Sequence, residues 1–158
     1  MAIVEAGKEF RIENLLSLRK KMTQEEINTE MMKIGKFLQD NEVKKAGPIV
    51  TVTFAIETQN GQPLLDMEIL VPMDKKIGLP SEYIFKPLFQ IVNAVYARHE
   101  GNPSAMQNTY NNMLAYIQQN KLQQITAGYN VQVKDLMPGM TPDEMVTDVY
   151  IGVNPSIL

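Results

Sequence analysis

The feature that most constrains the fold of this chain is an internal repetition with an offset of 79 residues. A capping box, Thr23 followed by Glu26, predicts the start of one amphipathic helix. A second helix is predicted after Asn102, which can accept a hydrogen bond at the N-cap, and Pro103, which fits the first turn. The apolar stripes of the helices match at this offset: Ile27, Met31, Ile34 and Leu38 recur as Met106, Tyr110, Met113 and Ile117.

The segments on either side of the two helices repeat as well. A strand-like segment ending in arginine precedes each helix, and a glycine, an alternating strand, a turn and a closing strand follow it. In the first half these features are Phe10, Ile12, Leu16 and Leu18 with Arg19, then Gly47, the strand from Val50, Asn60-Gly61 and residues 66–71. In the second half they are residues 88–96 with Arg98, then Gly128, the strand from Tyr129, Pro138-Gly139 and residues 148–153.

Each half is therefore predicted to have the order β-α-β-β, as pseudo-repeats at residues 8–75 and 82–154. A lone unit of about 75 residues would leave one sheet edge bare, and pairing two units covers it. We predict an α+β fold with one domain over residues 1–158, in which a tandem β-α-β-β repeat forms a mostly antiparallel sheet with two helices on one face and a central groove. Coincidental similarity of two segments is the alternative to duplication.

Composition limits the classes of function. The 158 residues are 44% hydrophobic and 21% charged, which is typical of a folded globular protein. The net charge of -3 and the pI near 5.2 disfavour nucleic acid as a partner, and short basic clusters such as Lys44-Lys45 are interpreted as solvated ends of elements. We expect a cytoplasmic protein without a membrane partner, because no apolar run could cross a bilayer and residues 1–10 do not resemble a signal peptide.

Aromatic residues mark the predicted groove. Tyrosine combines a flat stacking surface with a hydroxyl, which suits recognition of flat organic molecules. The predicted ligand-binding aromatic residues are Phe54, Tyr96, Tyr110, Tyr129 and Tyr150. In the alternative, Tyr110 belongs to the core, Tyr116 lies on the exposed helix face, and no pocket exists. Glu68 is also a candidate ligand-binding residue: alternation along its strand favours solvent exposure, and the alternative has it enter the groove.

The sequence offers little that indicates an enzyme. His99 is the only histidine, and its place at a strand end before Asn102 predicts a hydrogen bond to loop backbone. A Ser-His-Asp site could use only Ser104 with Glu100 or Asp148, and nothing in their spacing favours it. The chain has no cysteine, its carboxylates are scattered, and it has no phosphate-binding loop. We therefore expect no catalytic residue, no metal and no cofactor.

Short motifs in both halves carry a family resemblance. One is Ala94-Val95-Tyr96-Ala97-Arg98-His99-Glu100-Gly101, followed by a helix with aromatic residues at Tyr110 and Tyr116. Another is Glu68-Ile69-Leu70-Val71-Pro72, of which Tyr150-Ile151-Gly152-Val153 is a degenerate copy. In their order and spacing these motifs resemble the gyrase-inhibitor-like (GyrI-like, or AraC effector-binding-like) family of ligand-binding domains, over nearly the whole chain.

The resemblance implies a non-enzymatic bacterial domain that binds small, often cationic or apolar molecules in its groove, as in effector domains of transcription regulators. No attached DNA-binding segment is expected. The family typically has a pocket carboxylate in a Gly-Pro-x-x-Glu pattern, where this sequence has Gln132. An amide cannot neutralise a cation, so Gln132 as a binding residue favours a small aromatic or lipophilic ligand.

Two alternatives use the same fold. In the first, the pocket is closed and the domain is an adaptor or inhibitor for a bacterial protein partner. In the second, the domain is a small-molecule hydrolase, for which Gln132 cannot serve as the general base.

Overall fold

The computed structural model describes residues 3–134 and 139–156. Strand, helix, strand and strand follow one another twice along the chain. In order the elements are β1 (Val4–Met22), α1 (Gln24–Asp40), β2 (Val50–Gln59), β3 (Gln62–Pro72), β4 (Ile84–Glu100), α2 (Met106–Gln119), β5 (Gln124–Lys134) and β6 (Val146–Val153). The predicted α+β class is therefore confirmed. Among the helices of the described residues, none is long and apolar enough to span a membrane.

The chain divides into two compact units. The first-half unit is Ile12–Phe89, and the second-half unit combines the residues up to Arg11 with those from Gln90 onward. The division falls within β1 and within β4, so each of these two strands contributes residues to both units.

In the first-half unit, β3 pairs antiparallel with both β1 and β2. One face of these strands packs against α1 because apolar residues alternate along them. The buried side chains of this core include Leu16, Leu18, Met67, Ile69 and Val71 from the strands and Ile27, Ile34 and Leu38 from the helix. Asn60 and Gly61 connect β2 to β3 with φ angles of 51° and 75°, which confirms the predicted hairpin turn.

In the second-half unit, β6 pairs antiparallel with both β4 and β5. The core again lies between one sheet face and a helix. Its buried side chains are Val95, Ala97, Val149, Ile151 and Val153 from the strands and Met113 and Ile117 from α2. The opposite face of the same strands therefore carries Tyr96, Asp148 and Tyr150, since successive side chains of a strand point to opposite faces.

The helix starts agree with the sequence in one half and differ in the other. Thr23 and Glu26 form the predicted capping box at the start of α1. Asn102 instead caps a 3-10 turn, Pro103–Ala105, and α2 begins only at Met106. The difference arises because the Asn102 carbonyl accepts the N–H of Ala105 at 3.0 Å, a bond across three residues that winds the first turn more tightly than an α-helix.

Two strand predictions were also wrong in detail. Gly128 was expected before a strand, but β5 already begins at Gln124, so Gly128 lies inside it. The alternation expected from Phe10 to Leu18 is broken at Asn14, whose φ of 60° marks a local irregularity after which Leu15 and Leu16 are both buried. Pro138 of the predicted second turn lies outside the described residues.

Equivalent positions of the two halves hold analogous polar pairs. In the first-half unit, Lys20 Nζ donates to Oε1 of the buried Glu30 at 3.1 Å. The residues found 79 positions later are His99 and the buried Thr109, whose Nδ1 and Oγ1 atoms lie 2.7 Å apart. In both units a residue near the end of the strand before the helix is bonded to the helix residue ten positions later.

Candidate functional site

Tyrosines form a row across the sheet of the second-half unit, on the face opposite α2. Tyr150 of β6 is the register partner of Tyr96 in β4 and of Tyr129 in β5, and cross-strand partners share a face. The ring centroids of Tyr96 and Tyr150 lie 5.1 Å apart. Phe10 stacks on Tyr150, with ring centroids 4.7 Å apart and an interplanar angle of 26°. We call Phe10, Tyr96, Tyr129 and Tyr150 the aromatic row.

An ion pair between the buried Asp148 and the exposed Arg98 lies beside the aromatic row. Asp148 is 8% exposed, and its carboxylate accepts hydrogen bonds from Arg98 Nε at 2.8 Å and Nη2 at 3.1 Å. The hydroxyl of Tyr96 donates to the same carboxylate at 2.9 Å. Paired charge-assisted bonds of this kind are among the strongest in proteins. The carboxylate is therefore neutralised within the unit, and Tyr96 is held in a fixed orientation.

The protonation of these groups follows from their surroundings. Burial, reinforced by the hydrogen bond to Asp148, raises the pKa of Tyr96 to about 12. The hydrogen bonds to Asp148 raise the pKa of Arg98, so the guanidinium stays charged. Burial also raises the pKa of Tyr150. Tyr96 and Tyr150 thus present neutral rings and hydroxyls at physiological pH.

Tyr110 and Gln132 lie away from the aromatic row. Tyr110 is on α2, its hydroxyl donates to Asn130 Oδ1, and its ring covers Gly128. Burial raises the pKa of this tyrosine as well. Gln132 is the register partner of Thr147, which in turn pairs with His99, and His99 is bonded to α2. Both residues therefore lie on the α2 side of the sheet. Tyr110 packs against the core there, which is the alternative that the sequence left open for it.

His99 has a structural role. Its Nε2 lies 2.9 Å from the carbonyl oxygen of Asn102, so the predicted hydrogen bond to loop backbone is confirmed. Its Nδ1 is bonded to Thr109. With both ring nitrogens engaged, His99 has no nitrogen available to activate the Ser104 hydroxyl as a general base.

A cavity of about 650 Å³ in the same unit is lined by β4 and α2, and Tyr96 is the residue of the aromatic row that contributes to it. Tyr96 and Arg98 contribute to its wall from β4, and Asn108 and Asn112 contribute from α2. Its volume is within the range of small-molecule sites, and the side-chain amides of Asn108 and Asn112 can orient a ligand by hydrogen bonding. Glu5 and Glu100 also line it.

In the first-half unit, Glu68 is buried, so the prediction of a solvent-exposed side chain was wrong. Only 4% of the residue is exposed, and its Oε2 accepts hydrogen bonds from Ser17 Oγ and Lys86 Nζ, each at 2.5 Å. The alternation argument failed because the sheet face opposite α1 is buried as well, with Val52 and Leu70 completely inaccessible. Lys86 neutralises the carboxylate there, as Arg98 does for Asp148.

Phe54 also lies in the first-half unit and is 38% exposed. The guanidinium carbon of Arg19 is 4.0 Å from its ring centroid, and Arg19 pairs with Asp66 at 3.2 Å. The ring of Phe54 thus takes part in a cation–π contact, and each unit holds an Arg–Asp pair between the strand before the helix and the closing strand.

Sequence reasoning missed Phe10, Arg98, Asp148 and Lys86 as parts of these constellations. The offset could have indicated one of them, because Arg98 was already matched to Arg19 and each arginine faces a closing strand that begins with aspartate. No comparable signal exists for Phe10 or Lys86, whose contacts depend on where distant strands pair. Among the described residues, no three histidine or acidic side chains come together as metal ligands would.

Solved structures share this fold, whereas no protein-family model and no curated protein matches the chain. The C-terminal domain of EcmrR matches with a TM-score of 0.81 over 98% of this chain and 98% of that domain, at 14% identity. EcmrR in its DNA complex matches over 97% of this chain with a TM-score of 0.74 and 14% identity, and this chain spans only 57% of its length.

Two further structural neighbours are a hydrolase and a protein bound to a lipophilic cation. A hydrolase from Listeria innocua, encoded by lin2189, matches with a TM-score of 0.60 over 94% of this chain and 92% of its own, at 14% identity. SAV2435, bound to tetraphenylphosphonium, matches with a TM-score of 0.51 over 98% of this chain and 94% of its own, at 10% identity. These similarities are consistent with a GyrI-like fold. The expectation that nucleic acid is not a partner gains no support from them, because EcmrR is found in a DNA complex.

Proposed function

We propose that the chain is a non-enzymatic effector-binding domain of the GyrI-like type, which takes an uncharged aromatic molecule against the aromatic row. The observation that carries the proposal is the cluster in which Phe10 stacks on Tyr150 and Tyr96 is tilted against it, beside a hydrogen-bonded ion pair. Tyr96 and Tyr150 are both partly exposed, so their rings remain accessible to a ligand. Flat rings pack favourably on such surfaces, in offset-stacked or edge-on geometry.

The neutralised carboxylate argues for an uncharged ligand. A buried carboxylate attracts a cation only when its charge is not already compensated, and Asp148 is bonded to Arg98 through two nitrogens. A cationic ligand would have to compete with this guanidinium. SAV2435, which is bound to tetraphenylphosphonium, nevertheless makes lipophilic cations a necessary comparison in any test.

Binding without chemical conversion agrees with the groups present. Catalysis of hydrolysis needs a positioned base or an activated nucleophile. His99 is engaged at both nitrogens, and Asp148 is engaged by Arg98 and Tyr96. The similarity to the C-terminal domain of EcmrR, a protein found in a complex with DNA, supports an effector-binding role over a hydrolytic one.

Thermal unfolding with a compound panel tests the proposal. The panel contains 1-naphthol as the neutral probe, 1-naphthoate as the anion and tetraphenylphosphonium as the cation. At about 100 times its Kd a ligand stabilises the folded state by roughly 2.7 kcal/mol, which corresponds to a rise in Tm on the order of 5 °C for a chain of this size. We expect that rise with the neutral compound.

Three variants locate the site. Tyr150→Leu removes the ring that contacts both Phe10 and Tyr96, and is expected to abolish the rise in Tm. Tyr116→Leu makes the same change on α2 and is expected to preserve the rise. Arg98→Met leaves Asp148 uncompensated, so tetraphenylphosphonium then gives the larger shift. Absence of any shift in the wild-type protein, or an unchanged shift in Tyr150→Leu, contradicts the proposal.

A further inference from the structure

We propose that the first-half unit holds a separate site for a long-chain carboxylate, in a cavity beside α1. The cavity measures about 650 Å³ and belongs entirely to this unit. Its apolar wall is aliphatic throughout, formed by Met31, Ile34, Leu38, Val43, Ile49, Ile69 and Val71. An aliphatic wall without aromatic rings or buried polar groups suits an alkyl chain, and its volume is that of a small-molecule site. The site is independent of the aromatic row.

The first argument for a binding site is Gly35, a residue of α1 that keeps the cavity open. It lies in the middle of the helix and lines the cavity. Glycine is among the least favourable residues in a helix interior, and it is normally explained there by close packing or by a positive φ. Neither applies here, because a Cβ on Gly35 would find no contact atom within 4 Å and its φ is not positive. The glycine leaves open the space that a side chain would fill.

Charges at the cavity give the second argument. Lys44 and Lys45 line it together with Glu42, so the charged wall carries two positive charges and one negative. An ammonium group at the mouth of an aliphatic cavity is the chemistry that a single carboxylate head group needs. Both lysines are exposed, so their ammonium groups can meet a ligand head group at the solvent edge.

The lysines are also on a well-fixed segment. The N–H of Lys44 donates to the carboxylate of Asp74 at 3.0 Å, and the N–H of Asp74 donates back to the Lys44 carbonyl at 2.9 Å. Just before them, the N–H of Val43 donates to the Leu38 carbonyl at 2.8 Å. The backbone that carries the head-group contacts is therefore ordered before a ligand arrives, which reduces the entropy lost on binding.

Calorimetric titration of the full chain with decanoate, decanol and decyltrimethylammonium tests this assignment, with the two ions below their micelle concentrations and decanol below its solubility limit. The three probes share an alkyl chain and differ in head-group charge. We expect decanoate to bind about tenfold more tightly than decanol, as a charge-assisted contact provides, and the cation to bind most weakly. No binding of decanoate, equal binding of decanol, or tighter binding of the cation overturns the proposal.

Glycine variants test the cavity itself. Gly35→Leu places a side chain in the open space and is expected to weaken decanoate binding at least about tenfold, while improving helix propensity, so loss of folding is not the cause. Gly35→Ala leaves most of the volume free, and Gly78→Leu adds the same side chain at a connector glycine that also has open space. Both controls are expected to bind as the wild-type protein does. Equal binding by Gly35→Leu overturns the site.

A double variant tests the head-group contact separately. Lys44→Gln with Lys45→Gln is expected to reduce decanoate affinity to that of decanol and to leave decanol binding unchanged. Circular dichroism and Tm of each variant verify that it is folded. If decanoate affinity survives the loss of both charges, the assignment of the carboxylate to these lysines is wrong.

Discussion

Gly128 is glycine because the ring of Tyr110 occupies the space beside it. A Cβ at this position would lie 2.3 Å from Cε1 and 2.9 Å from the hydroxyl oxygen of Tyr110. The ring cannot simply rotate away, since its hydroxyl is bonded to Asn130 and most of the side chain is enclosed between α2 and β5. Glycine at this position therefore allows α2 and β5 to approach each other closely.

Replacing Gly128 by alanine is therefore expected to destabilise the protein. Overpacking of this kind costs about 1–3 kcal/mol, because the tyrosine must shift and its hydrogen bond is strained. The measurement is the free energy of unfolding in urea. Gly47→Ala is the matched control, since its Cβ would make an ordinary contact of 3.8 Å with Pro72 and is expected to change stability by less than about 0.5 kcal/mol. Equal stability of the two variants would contradict this account.

At the scale of elements, the start of α1 is the part that the sequence determines best. Thr23 and Glu26 satisfy each other's backbone groups, with the Thr23 N–H donating to Glu26 Oε1 at 3.1 Å and the Glu26 N–H donating to Thr23 Oγ1 at 3.3 Å. The bond from the Thr23 N–H, and after it a hydrogen bond from the Thr23 side chain to the same carboxylate, lowers the pKa of Glu26 from its ordinary value of 4.5. The charged form is thus favoured in the folded state.

This lowered pKa makes the contribution of Glu26 dependent on pH. Its stabilising effect is fully present above pH 4.5, where the unfolded chain is also ionised, and is lost as the pH falls through the lower pKa of the folded state. Glu26→Gln keeps the hydrogen-bonding shape without the charge and is expected to be less stable than the wild-type protein at neutral pH.

Urea denaturation at several pH values measures the difference. We expect the gap between Glu26→Gln and the wild-type protein to close below pH 4.5, while Glu25→Gln controls for removal of a charge from the same helix turn. A gap that stays constant from neutral to acid pH would show that the capping box does not depend on charge.

Local signals predicted local structure. The capping box, the Asn60-Gly61 turn and the alternating strands were predictable because each depends on neighbours within a few residues. The burial of Glu68 was not predictable in this way. The alternation argument assumes that one face of the sheet is exposed to solvent, whereas tertiary packing decides whether both faces are buried. The same holds for the site: the tyrosines were identifiable by type, but the separation of Tyr110 from Tyr96 and Tyr150 follows from strand register.

At the scale of the molecule, the two halves place equivalent residues in equivalent surroundings. Ile34 of α1 and Met113 of α2 are related by the offset of 79, are 3% and 0% exposed, and lie in the core of their own unit. If the halves derive from one duplicated fold, the two positions should make comparable contributions to stability.

Truncation of each residue tests this equivalence. Ile34→Ala and Met113→Ala are each expected to lower the free energy of unfolding by about 2–5 kcal/mol, since each leaves a cavity in a helix–sheet core. Met32→Ala and Leu114→Ala alter exposed positions on the same helices, 75% and 41% accessible, and are expected to have effects below about 0.5 kcal/mol. A core truncation no more damaging than its surface control would contradict the assignment of that position.

The ion pairs opposite the helices have a consequence for how this protein responds to its medium. Asp66, Glu68 and Asp148 each hold a cationic side chain of their own unit, from Arg19, Lys86 and Arg98. An uncharged molecule approaching Asp148 and its aromatic neighbours meets a field that is already cancelled at short range. Because the molecule itself carries no net charge, its association should also be indifferent to ionic strength: there is no long-range attraction for dissolved salt to screen.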